Sequence, residues 1–344
     1  MEENKRPQKR ALLWQPLPEN KVQCRLCAFE CTIAPDSVGR CHVRKNIDGV
    51  LYSLNYDKLC AANEDPIEKK PLFHFQPGSK SFSIAAPGCN FQCDFCQNWQ
   101  ISQSPYENRF DGTSYAPEQI VRTALASGCK SIAYTYTEPT VFFELCAETA
   151  ILAKQNGLAN VFVSNGFMSA QAVDYAKEWL DGINIDLKSF NPDFYKKLCK
   201  GRLEPVLDTI RYIANSTDIW MEITTLLVPG QNDSPSEIRQ IAHFIAGQAG
   251  HDTPWHISRF YPQYKMTETQ PTTPKSLQTA YDLGREAGLR YVYMGNVPGS
   301  RFESTYCHRC DALLIERCGY RVLRNNVLDF TCPACGAEVA GFDL

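Results

Sequence analysis

The stretch Ala86-Pro87-Gly88-Cys89-Asn90-Phe91-Gln92-Cys93-Asp94-Phe95-Cys96 decides how the rest of the chain is read. It spaces three cysteines as Cys89-x3-Cys93-x2-Cys96, directly after the apolar run 81–86, which reads as a buried strand. Three thiolates on a tight loop can bind three irons of a cubane and leave the fourth iron open to a small molecule. Gly88 lets the backbone turn so that the ligands converge. The chemical rival is a closed zinc site, which needs a fourth Cys or His; the loop contains neither.

Outward from this loop, short apolar runs alternate with helical patterns. Strands are expected at 81–86, 131–136, 160–164, 183–187, 220–227, 255–260 and 291–294. Helices are expected at 117–127, 140–156, 169–181, 204–215, 236–248 and 274–287, several opening on Pro and stopping at Gly. That alternation predicts an α/β fold with parallel strands and right-handed crossovers. Six or seven strands point to a partial (β/α)6 TIM-like barrel; a doubly wound open sheet is the architectural alternative.

The 344 residues carry a net charge of −3, which argues against a nucleic-acid surface. No apolar run is long enough to span a membrane, and the charged N-terminus lacks the core of a secretory signal. Sixteen cysteines without an export signal point to metal ligation in a reducing, cytoplasmic compartment. Near the C-terminus, Cys307-x2-Cys310 and Cys332-x2-Cys335 form two knuckles, a zinc-ribbon pattern that completes a tetrahedral thiolate site. A single iron is the alternative there. At the other end, Cys24, Cys27, Cys31 and Cys41 make a further set of four, suited to zinc or to a second [4Fe–4S] cluster, with His42 able to replace one thiolate. Cys60, Cys129, Cys146, Cys199 and Cys318 belong to no motif and read as small buried hydrophobes. The expected organisation is a flexible leader over 1–20, a Cys-rich module over 21–75, the barrel over 76–300 and a zinc-ribbon-like module over 301–344.

The three-cysteine loop, with Phe95 before its last Cys, resembles the signature of the radical S-adenosylmethionine (SAM) superfamily. The wider pattern resembles the pyruvate formate-lyase-activating-enzyme branch, and most of all the AmmeMemoRadiSam-system radical SAM enzymes. The resemblance implies a [4Fe–4S] cluster that cleaves SAM to methionine and a 5′-deoxyadenosyl radical. It also implies SAM contacts at strand exits: Phe95 in the loop, Glu138 in Tyr136-Thr137-Glu138-Pro139, Asn165 in Ser164-Asn165-Gly166, the pair Asp186 and Lys188, and Asn296. Two glycines usual before the Glu are absent. Asp186 and Lys188 are two apart on a strand and so share a face. The strand exit 228–233 resembles the family's strand-to-loop element near the SAM ribose, but Asn232 and Asp233 also suit a plain turn and are given no role, and His256 reads as a core histidine. The expected partners are a one-electron donor of the flavodoxin or ferredoxin kind, and a protein substrate or a Memo-like or Amme-type partner. The readings in play are therefore an oxidoreductase of activating-enzyme type, radical modification of another substrate, and a non-catalytic metal scaffold or nucleic-acid adaptor.

Overall fold

The computed structural model describes residues 9–297 and 299–344. The first eight positions of the expected leader therefore lie outside the described residues. The chain divides into two compact units. One takes the chain through residue 64 together with 81–92 and 96–181; the other takes 65–80, 93–95 and 182–344.

In the first unit the strands Lys80–Ala85, Ser131–Tyr134 and Ala159–Ser164 run parallel, with Ser131 opposite both Ser81 and Ala159. All four residues of Ser131–Tyr134 are buried, which is why the run shows no polar alternation. The helices Pro117–Ala126 and Phe143–Gln155 make the connections. The first opens on Pro117, and the Ala116 N–H donates to the Gln119 side chain at 2.9 Å. It ends where the Gly128 and Cys129 N–H groups return to the Leu125 and Ala124 carbonyls. The helix expected over 169–181 is shorter, Ala170–Ala176.

The Cys-rich N-terminal segment builds two small antiparallel sheets, and these take in residues expected to be flexible. Lys9–Arg10 pairs with Val50–Ser53, and Trp14–Pro16 pairs with Val22–Cys24. Such strands are held by backbone pairing and carry no hydrophobic period to read. Arg44 and Glu144, each 1% exposed, form a buried ion pair that ties this segment to the helix Phe143–Gln155. Arg44 also donates to the Leu12 carbonyl at 2.8 Å, and the Leu12 N–H donates to Glu144 at 2.8 Å.

In the second unit the parallel strands are Gly182–Asp186, Trp220–Leu227, Trp255–Arg259 and Val292–Gly295. Their helices are Glu204–Ser216, Pro235–Phe244 and Pro274–Glu286. The parallel strands of both units thus lie where the sequence pattern puts them, and the chain is α/β. After them come Thr305–Tyr306, Leu313–Cys318 and Arg321–Asn325, a three-stranded antiparallel sheet. Its Leu314 and Ile315 pack in one core with Phe73, Tyr291 and Tyr293. Among the described residues no helix is long and apolar enough to cross a membrane.

Glu222, fully buried on its strand, organises this second core. Its carboxylate accepts from the Phe73 and His74 N–H groups at 2.9 and 2.7 Å, from Trp220 Nε1 at 3.0 Å and from His256 Nε2 at 2.6 Å. Burial alone would push the Glu222 carboxyl up, but these donors, His256 foremost, hold it below the usual carboxylate range. His256 is therefore a satisfied core residue. Glu222→Gln should cost about 3 kcal/mol, because the amide leaves one of the two backbone N–H groups facing a donor. Urea denaturation monitored by tryptophan fluorescence measures that loss, and an unchanged midpoint would contradict it.

Candidate functional site

In the first unit the site grows from the exits of three neighbouring strands. The loop after Lys80–Ala85 carries Cys89, whose sulfur receives the Phe91 N–H at 3.3 Å and faces Asn165 Nδ2 at 3.8 Å. Asn165 Nδ2 also donates to Asn90 Oδ1 at 2.7 Å, and Asn165 Oδ1 caps the Phe167 N–H at 2.9 Å. Asn165 thus sits beside Cys89, locked by its own turn.

Glu138 fixes the position of that turn. It is 2% exposed. Its Oε1 accepts from Thr140 N, Thr140 Oγ1 and Ser164 Oγ at 3.1, 2.5 and 2.8 Å, and its Oε2 accepts from Asn165 N at 2.8 Å. Burial raises its carboxyl above the usual range, and the donors oppose that shift. Oε2 carries one donor here and has capacity for a second. Just before Glu138, Tyr136 stands at φ 61°, a left-handed conformation that favours glycine. The backbone at this non-glycine position therefore adopts the shape that the missing glycines would make easy. Asn98 Nδ2 donates to the Tyr136 carbonyl at 2.8 Å, and Thr137 Oγ1 donates to the Ala86 carbonyl at 2.7 Å. Cys96 lies 3.4 Å from Ser102 Oγ.

In the second unit Cys93 and Phe95 meet Asp186, Lys188 and Cys199. The strand ends at Asp186, so Lys188 stands just beyond it rather than on its face; Lys188 Nζ nevertheless donates to Asp186 at 2.7 Å, and the ammonium lies 5.9 Å from the Phe95 ring. The Lys188 backbone is clamped from both sides. Its N–H donates to Tyr195 Oη at 3.0 Å, and its carbonyl accepts from the buried Asn232 Nδ2 at 2.6 Å. Asn232 is thus more than a turn residue. Burial opposes the Lys188 charge, but Asp186 and the two neighbouring thiols hold its pKa well above the lysine range. Cys93 is buried, with 8% of its surface exposed. A hydrogen bond from the Cys199 thiol lowers its pKa; burial works against this, and the Lys188 cation adds to it. Cys199 lies far along the chain in no motif, so no sequence signal marks it. Asn296, at φ 62°, is exposed and donates to the Arg259 carbonyl at 3.2 Å.

The donors given to Cys89 and Cys93 suit sulfurs bearing negative charge, as ligands of an iron–sulfur group do. At the C-terminus the sulfurs of Cys307, Cys310, Cys332 and Cys335 all lie within 4.8 Å of one another, with Cys307–Cys335 at 3.6 Å and Cys310–Cys332 at 3.7 Å. Such a set can hold one metal ion. In the N-terminal set, burial raises Cys41 to about 12 and lifts Cys27 above the cysteine range, with neighbouring thiols adding to both shifts. His42 instead packs on Tyr106, with ring centroids 4.3 Å apart. None of the sixteen cysteines is disulfide-bonded.

Gly88 stands at φ 121°, and a Cβ there would meet Val43 Cγ1 at 2.8 Å. Gly88→Ala should therefore destabilise the protein by about 1–3 kcal/mol and lower the iron retained after anaerobic reconstitution. Adding Val43→Ala should restore only part of the loss, since it relieves the contact and not the backbone. Full recovery in thermal unfolding would show that the contact alone matters.

Residues 83–245 match the model of the Radical SAM superfamily. The uncharacterized protein MJ0808 of Methanocaldococcus jannaschii is 44% identical over 331 residues, which cover 96% of this chain and 98% of that one. The pyruvate formate-lyase-activating enzyme of Listeria monocytogenes is 25% identical over 186 residues, 49% of this chain and 70% of its own. In fold alone, the crystal structure of Streptococcus suis SuiB bound to S-adenosylmethionine matches with a TM-score of 0.50 at 13% identity, over 67% of this chain and 53% of that one. The chain belongs to the radical SAM superfamily.

Proposed function

We propose that this protein cleaves SAM reductively and uses the resulting 5′-deoxyadenosyl radical to take a hydrogen atom from a substrate. The observation that carries this reading is the Cys89, Cys93, Cys96 loop at the exit of the first parallel strand, with each of Cys89 and Cys93 given its own hydrogen-bond donor. A [4Fe–4S] cluster on these three thiolates would supply the electron that breaks the bond between the SAM sulfur and its 5′ carbon.

The chain's own residues would bind and orient SAM. Glu138 Oε2 has room to accept from the SAM amino group while holding Asn165 in place. Lys188, kept charged and clamped at its backbone, offers a cation to the SAM carboxylate, with Asp186 fixing its direction. Phe95 and Asn296 would take the remaining faces of the ligand. The similarity to an activating enzyme favours a protein substrate, on which a glycine would lose its hydrogen, as an activating-type oxidoreductase would do. A Memo-like or Amme-type partner and a flavodoxin- or ferredoxin-like donor complete the proposed setting. Sixteen cysteines, eleven of them in ligand-like sets, suit metal ligation in a reducing cytoplasm. The closed C-terminal thiolate set is assigned a structural ion, zinc in preference to a single iron on its two-knuckle zinc-ribbon pattern, and the 3.6 and 3.7 Å sulfur spacings suit a tetrahedral ion of either kind.

Reduced, cluster-replete protein should release 5′-deoxyadenosine and methionine from SAM in equal amounts, measured by liquid chromatography. Cys93→Ala should fall to background. Cluster-replete protein that leaves SAM intact would refute the function. Lys188→Met should raise the KM for SAM roughly 10–100-fold at unchanged iron content, the loss expected for one charge-assisted contact. Cys332→Ser should lose the zinc and lower Tm by more than about 5 °C, while the fraction that folds still cleaves SAM.

A further inference from the structure

The N-terminal cysteines form a second set of four whose arrangement differs from the C-terminal one. Cys24, Cys27, Cys31 and Cys41 line one cavity of about 20 Å³, together with Arg44 and Asn90. Zn–S bonds of about 2.3 Å would draw four tetrahedral sulfurs to about 3.8 Å from one another. The C-terminal thiols stand at that spacing. Among the described residues they are the one group of three or more ligand atoms gathered within 4.8 Å, so no three of the N-terminal sulfurs approach so closely. The space they enclose is larger than the roughly 10–15 Å³ that a single water requires.

Two residues of the cavity lining also carry an unanswered donor each. Asn90 Nδ2 and Arg44 Nε are buried without a hydrogen-bond partner, on residues each 1% exposed. An unmet buried N–H costs about 1–3 kcal/mol. Metal-bound thiolates could accept from these donors in either kind of site, and the inorganic sulfides of a cluster would add further acceptors. Arg44, whose Nη1 lies 3.8 Å from Cys24 Sγ, adds a cation beside what would be an anionic group.

We infer that Cys24, Cys27, Cys31 and Cys41 bind a [4Fe–4S] cluster of their own. With four protein ligands it has no open iron and takes no SAM. The inference does not rest on the catalytic reading, because it can be tested with the other cluster removed. The full-length Cys89→Ser, Cys93→Ser, Cys96→Ser triple variant should be reconstituted anaerobically with iron and sulfide. It should bind about four irons and four sulfides per chain and, when reduced, give an electron paramagnetic resonance signal indifferent to SAM. An iron-free variant with wild-type circular dichroism and two zinc ions per chain overturns the inference. In the otherwise unchanged chain, Cys41→Ser should lower bound iron from about eight to about four per chain. Iron content unaffected by that substitution overturns it as well.

Discussion

Glu138 is a carboxylate taken almost wholly out of water, and such a group persists only where donors surround it. It collects the Thr140 N–H and hydroxyl, the Ser164 hydroxyl and the Asn165 N–H. Those bonds join the exit of the second parallel strand to the exit of the third, and through Asn165 they reach Cys89 and Asn90 on the loop of the first. The placement of Cys89 in the first unit follows from this carboxylate. The second unit applies the same rule at Glu222, where a buried carboxylate pins residues 73 and 74 to the strand that carries it.

The cysteines show how one side chain serves different chemistry through its surroundings. Cys307, Cys310, Cys332 and Cys335 close to the spacing of a single ion. The N-terminal four stand around a cavity, and two of its lining residues, Asn90 and Arg44, carry buried donors without a partner. Cys89 and Cys93 belong to one short loop yet receive different partners, N–H groups for Cys89 and the Cys199 thiol for Cys93. Hydrogen bonds to thiolate sulfur change charge and redox potential, so the two positions are not interchangeable.

Much of the fold was legible in the sequence. Parallel strands buried on both faces read as largely apolar runs, and Ser131–Tyr134 lies within the run expected at 131–136; Trp255–Arg259 also falls where a strand is expected, although His256, Ser258 and Arg259 interrupt its apolar character. Pro117 and Gly128 bracket a helix for reasons of local backbone geometry alone. Lys9–Arg10 and Trp14–Pro16 were not legible as strands, because two or three residues paired by backbone leave no pattern. At the site, Asp186 does meet Lys188, but the strand stops at Asp186, so the pairing arises in the loop that follows and not from strand periodicity. The bond between Cys199 and Cys93, the support of Tyr136 by Asn98 and the burial of Asn90 beside the N-terminal thiols join distant parts of the chain, and only the folded structure reveals them.

The most direct test concerns the iron left without a protein ligand. Electron–nuclear double resonance on reduced, cluster-replete protein with SAM labelled at its amino nitrogen should reveal a hyperfine coupling between the label and the cluster. The coupling should vanish in Cys93→Ala. A full complement of iron with no coupling to labelled SAM would contradict an open-cornered cluster on Cys89, Cys93 and Cys96.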